Sequence, residues 1–268
     1  MQQWMPAHIS SAQFESHAAF DPRTGDLYFV RSSPEFRGWH LMLSKCRPSG
    51  WSDPQPPAFA GDGQEADPWF TPDGAHLYFI SSRSDDGVKR DDLDIWRLDR
   101  DAAGQWGRPQ RLPAPVNSVG AEWFPRLAPD GWLYFGSNRP GGLGGNDIWR
   151  AREDAAGEWT VENLGPTLNS EGNEYEPLPS PDGTSMILMA DGGLYRSDRH
   201  GNDWLPRTKL GPGINVNGTE IGATFSPSGK SLLFSRDLKG THSGEFFVWH
   251  ITGAERWPAP CDEGLPNE

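Results

Sequence analysis

Short apolar runs recur along the chain, and each is bracketed by turn residues. Leu27–Val30, Leu77–Ser81, Leu133–Gly136, Met186–Met189 and Leu232–Ser235 are aromatic and aliphatic runs of four or five residues. That length and composition predict strands buried on both faces. Each run follows a turn: 21–25 (Asp-Pro-Arg-Thr-Gly), 72–74, 129–131 and 181–183 (Pro-Asp-Gly), and 227–229 (Pro-Ser-Gly). Proline presets φ for such a turn and glycine accepts φ > 0. Ahead of each turn stands a glutamate that opens a further strand: Glu15, Glu65, Glu122, Glu174 and Glu220, spaced 50, 57, 52 and 46 residues apart. After each apolar run comes a third strand, 40–43, 94–96, 147–149, 193–195 and 247–249. A fourth begins near Trp51, Trp106, Trp159, Trp204 and Trp257. The prolines of that fourth segment suit a sheet edge, where the missing N–H faces water.

Four strands at a period near 50 predict an all-β, five-bladed β-propeller of four-stranded antiparallel blades. The blades fall at about 15–60, 63–116, 120–168, 172–214 and 218–260 in one domain covering residues 1–268. Trp4-Met5-Pro6 resembles the start of a fourth strand, so residues 3–9 are expected to close the ring against the last blade. Trp257-Pro258-Ala259-Pro260 offers the alternative closure from the other end.

The string Glu-x-x-Pro, Pro-Asp-Gly, Leu-Tyr-Phe-x-Ser-Asn-Arg-Pro-Gly-Gly, Asp-Ile-Trp is clearest over Glu122–Trp149. It resembles the Pro-Asp-type repeats of TolB-like propellers, and the resemblance runs nearly end to end. Such propellers occur as periplasmic binding proteins, as partners of outer-membrane lipoproteins and peptidoglycan-associated proteins, and within peptidases and polysaccharide lyases. The chain departs from TolB in having five repeats and no N-terminal α/β domain. The resemblance therefore implies a fold and a binding role rather than a TolB-specific one. No Gly-x-Ser-x-Gly elbow marks a peptidase.

Charge narrows the partners. The net charge of −13 argues against nucleic acid, whose binding needs a basic surface. It suits cations, amines or a basic partner, and also simple solubility. No apolar stretch is long enough for a membrane span. The N-terminus lacks a secretory leader, so the chain as written reads as cytoplasmic, or as periplasmic or secreted if a leader has been removed. Cys46 and Cys261 fall in the first and last repeats, which ring closure makes neighbours. A disulfide is open to them, but two unpaired thiols are the expectation in the absence of any sign of an oxidising compartment.

Comparing repeats separates architecture from chemistry. Strand alternation puts each glutamate on one face with the residues two and four later. Those sets are Glu15/His17/Ala19, Glu65/Asp67/Trp69, Glu122/Phe124/Arg126, Glu174/Glu176/Leu178 and Glu220/Gly222/Thr224. This varied face is expected to border a central acidic channel, on the end of the ring that also carries the glutamates. The bland reading of the glutamates is pairing with Arg31, Arg83, Arg139 and Arg236. The fourth repeat has Ala190-Asp191-Gly192 instead, which leaves Glu174 and Glu176 without an evident basic partner and marks a candidate site. The expected ligand-binding residues are Glu174, Glu176, His17, Asp67, Glu122, Trp69, Phe124, Arg126 and Trp123. His17, Asp67 and Glu176 form the candidate metal set, with Ca, Mn or Mg as the divalent cation suited to oxygen-rich ligands. The functional expectation is a monomeric module binding a protein partner or glycan fragment. The alternative is a carboxylate- or metal-dependent glycoside hydrolase or lyase acting on a saccharide.

Overall fold

The computed structural model describes residues 1–6, 8–84, 90–216, 220–237 and 244–261. Strand β1 (Gln2–Trp4) precedes five sheets. Blade 1 holds β2 (Phe14–Phe20), β3 (Leu27–Ser32) and β4 (His40–Ser44), with the small hairpin β5 (Cys46–Arg47) and β6 (Gly50–Trp51) at its rim. Blade 2 comprises β7 (Glu65–Phe70), β8 (His76–Ser81), β9 (Asp94–Asp99) and β10 (Gln110–Arg111). Blade 3 comprises β11 (Glu122–Leu127), β12 (Leu133–Ser137), β13 (Asp147–Glu153) and β14 (Trp159–Asn163). Blade 4 comprises β15 (Glu174–Pro179), β16 (Ser185–Ala190), β17 (Gly193–His200), β18 (Asp203–Trp204) and β19 (Thr208–Lys209). Blade 5 comprises β20 (Glu220–Phe225), β21 (Ser231–Asp237) and β22 (Gly244–His250). The protein is an all-β, five-bladed propeller.

Strand β1 pairs antiparallel with β22, Trp4 opposite Phe246 and Gln2 opposite Val248. The pairing spans 2–4, so only residues 3 and 4 of the expected 3–9 take part, and Ala7 lies outside the described residues. Trp257 adds no strand; its ring packs on Phe20, centroids 5.7 Å apart. Trp4 meets Phe20, Trp51 and Phe246 at 5.9, 6.2 and 5.8 Å. The seam between last and first blade is thus filled by aromatic edges and faces, which gain beyond area burial. Beside this seam Cys46 and Cys261 form a disulfide, Cα atoms 5.1 Å apart. This corrects the expectation of free thiols. Ring closure makes neighbours of residues 215 apart in sequence.

The edge strands are shorter than expected. In blade 2 only an isolated bridge forms at Trp106 before β10, and in blade 4 Pro206 falls between β18 and β19. Proline cannot donate to the ladder, so these edges pair in fragments. The core lies between sheets. Tyr28, Val30 and Leu41 of blade 1 belong to one cluster with Leu77, Phe79 and Trp96 of blade 2 and Leu133 and Phe135 of blade 3.

The glutamates hold the blades together. Each carboxylate is buried and paired: Glu15 with Arg31 (2.8 Å), Glu65 with Arg83, Glu122 with Arg139 (2.9 Å) and Glu220 with Arg236 (2.8 Å). Each also accepts the backbone N–H four residues earlier, from Ser11, Gly61, Ser118, Ser170 and Val216. The guanidinium lies over an aromatic residue two or four positions before it, as Arg31 over Phe29 (5.3 Å), Arg83 over Phe79 (5.0 Å) and Arg139 over Phe135 (4.9 Å). Stacking and pairing offset the cost of burying both charges. Blade 4 contains the same clasp in altered form. Arg207, from the segment before β19, reaches Glu174 at 2.9 Å and lies over Tyr195 at 5.5 Å. The expectation that Glu174 lacks a basic partner is therefore corrected: the arginine comes from the segment between β18 and β19. Asn117, Asn169 and Asn215 complete the pattern. Each amide oxygen accepts from the N–H of Ile95, Ile148 or Leu194, and each amide nitrogen donates to the same residue's carbonyl.

Three outcomes follow. Arg207→Ala leaves Glu174 buried without its cation and costs about 3–5 kcal/mol, read by urea unfolding. Arg196→Ala, which breaks an exposed pair with Asp198, costs under about 1 kcal/mol. Reducing Cys46–Cys261 lowers stability by about 2–5 kcal/mol, read as a fall in melting temperature with dithiothreitol.

Candidate functional site

Every innermost strand breaks register at the same place. The ladder shifts between Ser16 and Ala19, Ala66 and Trp69, Trp123 and Arg126, Tyr175 and Leu178, and Ile221 and Thr224. At each bulge the residue two after the glutamate is left-handed: His17 (φ 53°), Asp67 (57°), Phe124 (53°), Glu176 (53°) and Gly222 (66°). Four of the five are not glycine, although this region is costly for a side chain. Gly222 shows why one must be: a Cβ there would lie 2.6 Å from the His17 backbone nitrogen.

The bulges make the axis polar, but not an open channel. Asp67 accepts the Phe124 N–H at 2.8 Å through Oδ2, and Glu176 accepts the Gly222 N–H at 2.8 Å through Oε2. His17 Nε2 stands 3.4 Å from Asp67 Oδ1 but lacks hydrogen-bond geometry, while Nδ1 meets the Ser16 hydroxyl at 2.7 Å. Glu176 Oε1 is buried without a partner. Arg126 lies over the Trp69 ring, 5.0 Å from its centroid, and donates to the Pro125 carbonyl. Rings of His17, Phe124 and Tyr175 stack in a row, 5.3 and 6.1 Å apart.

Burial dominates the proton affinities here. It pushes Asp67 up to about 7, against the pull of Arg126 and the Phe124 N–H. It pushes Glu176 up to about 8, with Gly222 N–H opposing and Asp67 adding to the rise. It holds His17 down at about 3, helped by Arg126, and lowers Arg126 to about 10 against the attraction of the two acids. A carboxyl that leaves water disfavours its charged form. Arg126 is the positive charge that both acids feel.

Of the expected site residues, His17, Asp67, Phe124, Glu176, Trp69 and Arg126 do meet around the axis. Glu122 and Glu174 do not line it; they are clasp residues turned into the blade. Alternation counted from the glutamate crosses the bulge, so sharing a face in sequence did not mean sharing a face in space. Trp123 opens toward the glutamate-bearing end. Among the described residues, no three His, Cys, Asp or Glu side chains gather with metal-ligand geometry.

Two concavities flank the filled axis. On the glutamate-bearing end, a cleft of about 700 Å³ is lined by Trp39, Trp123, Asp62, Asp91, Asp92 and Arg90. The opposite end has an apolar bowl of about 340 Å³, built from Phe20, Phe70, Phe225, Trp69 and the turn prolines Pro72 and Pro129 among others. Those turns thus also form a surface. Sequence reasoning missed Trp39, Asp62, Asp91 and Asp92. The available signal was that the loops carrying them differ from their counterparts in other repeats.

No family model matches the chain. Among solved structures, a TolB candidate from Agrobacterium tumefaciens superposes with a TM-score of 0.53 at 19% identity, over 85% of this chain and 71% of that one. The chain has a TolB-like propeller fold. A xylan β-1,4-xylosidase from Bacillus halodurans C-125 gives a TM-score of 0.50 at 16% identity, over 94% of this chain and 55% of that one. At these identities the likeness is one of fold alone. By sequence, the chain is 29% identical to an uncharacterized protein of Agrobacterium fabrum over 122 residues, 45% of this chain. The match spans about a third (34%) of that relative's length. No helix is long and apolar enough to cross a membrane among the described residues.

The axial groups make stability pH-dependent. Raised carboxyl values mean that the folded state holds protons the unfolded chain releases, so their contribution is lost as pH rises through about 7 and 8. His17 works the other way, but only below its ordinary value of 6.5. Unfolding free energy is therefore expected to fall from pH 6.5 to 8. Asp67→Asn with Glu176→Gln flattens that slope, measured by urea unfolding across the range.

Proposed function

We propose that this propeller is a binding module whose ligand lies in the cleft on the glutamate-bearing end. The observation that carries this reading is the pair of half-buried indoles, Trp39 and Trp123, lining one cleft with Asp62, Asp91 and Asp92. Concave sites that combine aromatic faces with a few polar groups are the common form of a ligand site. The ligand is a glycan fragment or a segment of a protein partner, bound by a single copy of the chain. The Cys46–Cys261 disulfide supports a periplasmic or extracellular setting, where such bonds persist.

The carboxylate-catalysed alternative has less support. Asp67 and Glu176 are buried, and each spends an oxygen on a backbone N–H. A glycosidic pair must instead reach the leaving oxygen and a nucleophile or water. The xylosidase likeness, at 16% identity, adds fold and no chemistry.

Tryptophan fluorescence titrated with a panel of oligosaccharides and peptides tests the reading, alongside turnover of aryl glycosides. Saturable binding without turnover is expected. Replacing Trp39 and Trp123 together by Ala weakens it at least tenfold while the melting temperature holds within a few degrees. Turnover that survives this replacement, or binding unaffected by it, overturns the proposal.

A further inference from the structure

At the inner end of the cleft lies a chamber of about 40 Å³. Its wall includes Phe36, Trp39, Trp123 and Phe124, with His17 and Asp67 below. A single water needs about 10–15 Å³ of such space, so a head group of a few heavy atoms fits and a sugar ring does not. The blade architecture does not demand these rings. Phe36 and Trp39 come from the 33–39 loop of blade 1; the matching loops of blades 3 and 4, 138–146 and 191–192, contain no aromatic residue. The residue after each clasp glutamate is Ser16, Ala66, Trp123, Tyr175 or Ile221, so an indole at that place occurs only in blade 3. Aromatic side chains from two blades that are not ring neighbours thus converge on one point.

Their placement is fixed. Phe36 has φ 58°, a conformation rare for a bulky residue. Its N–H donates to the Ser33 carbonyl at 2.9 Å, and its own carbonyl accepts the Trp39 indole N–H at 3.0 Å. The Phe36 ring lies 5.4 Å from Trp39 and 6.3 Å from His17. His17, 5.3 Å from Phe124 on its other side, is kept neutral by burial and so brings no competing charge. Asp67 places Oδ1 beside that imidazole.

Resting on the cleft reading above, we propose that this chamber is an aromatic cage for an alkylammonium head group. Ring faces attract cations through their quadrupoles, most strongly for Trp, and more so when water is excluded. Asp62, Asp91 and Asp92 at the approach, and a chain charge of −13, draw cations toward it. The ammonium can come from a free amine or from a lysine side chain of a partner. Both present the same chemistry to the rings.

The test titrates the full chain with methylammonium and tetramethylammonium chloride, following tryptophan fluorescence and ligand NMR. tert-Butanol is the neutral isostere, and sodium chloride controls ionic strength. Saturable binding of the cations, absent with tert-butanol, is expected. Phe36→Leu keeps apolar bulk but removes the π face, and should weaken binding at least tenfold with an unchanged melting temperature. A trimethyl-lysine peptide binding at least tenfold tighter than tetramethylammonium identifies a protein source, and equal binding identifies a free amine. Equal response to tert-butanol, no saturation in folded protein, or an undiminished affinity in Phe36→Leu overturns the cage. If oligosaccharides or peptides still bind through Trp39 and Trp123, the cage fails alone; if nothing binds, both readings fall.

Discussion

A left-handed residue in the innermost strand of each blade is the constraint on which the centre of this molecule depends. It turns the backbone N–H of one blade toward the side chain of another, and it brings the side chain of the same residue onto the axis. Where that side chain is a carboxylate, it accepts a neighbouring bulge N–H, as Asp67 does from Phe124 and Glu176 from Gly222. An unpaired buried N–H is expensive, so the acids relieve a cost that the bulge itself creates. The bulge costs backbone energy at four residues that are not glycine, on the order of 1–3 kcal/mol each. Packing against the other blades must over-determine it.

Outside the axis, charge serves architecture. The five clasp glutamates are buried, each with a guanidinium and a backbone N–H, and so do not contribute to an acidic channel. What acidic character the molecule offers a ligand sits in loops, at Asp62, Asp91 and Asp92. The two roles of acid are separated by position. Those repeated in every blade hold the blade, and those found in one loop face the cleft.

The architecture was legible because each element carries its own local signal. Turn prolines and glycines, the apolar runs and the glutamate spacing all point to the same four-strand repeat, and that agreement is what makes a sequence specify one fold. The axis was less legible. Only Gly222 has the residue type that advertises a left-handed backbone; His17, Asp67, Phe124 and Glu176 do not, so alternation was counted straight through the bulge. Arg207 was overlooked because its partner was sought at the repeated position, whereas space requires only that some arginine reach Glu174. Phe36 and Trp39 lie in a loop whose counterparts in blades 3 and 4 carry no aromatic residue, so repetition cannot interpret them. The disulfide joins residues that are distant in sequence and adjacent only after closure.

Closure by β1 has a consequence for how the chain is made. Trp4 leaves the ribosome about 240 residues ahead of Phe246, the residue it finally opposes. At roughly 5–20 residues per second, that is a wait of about 12–50 seconds. Throughout it, four blades can form while β1 has no sheet to join. The nascent protein must therefore keep this aromatic strand from mispairing until β22 emerges, and a message cut short before β22 yields an open ring with two unprotected edges.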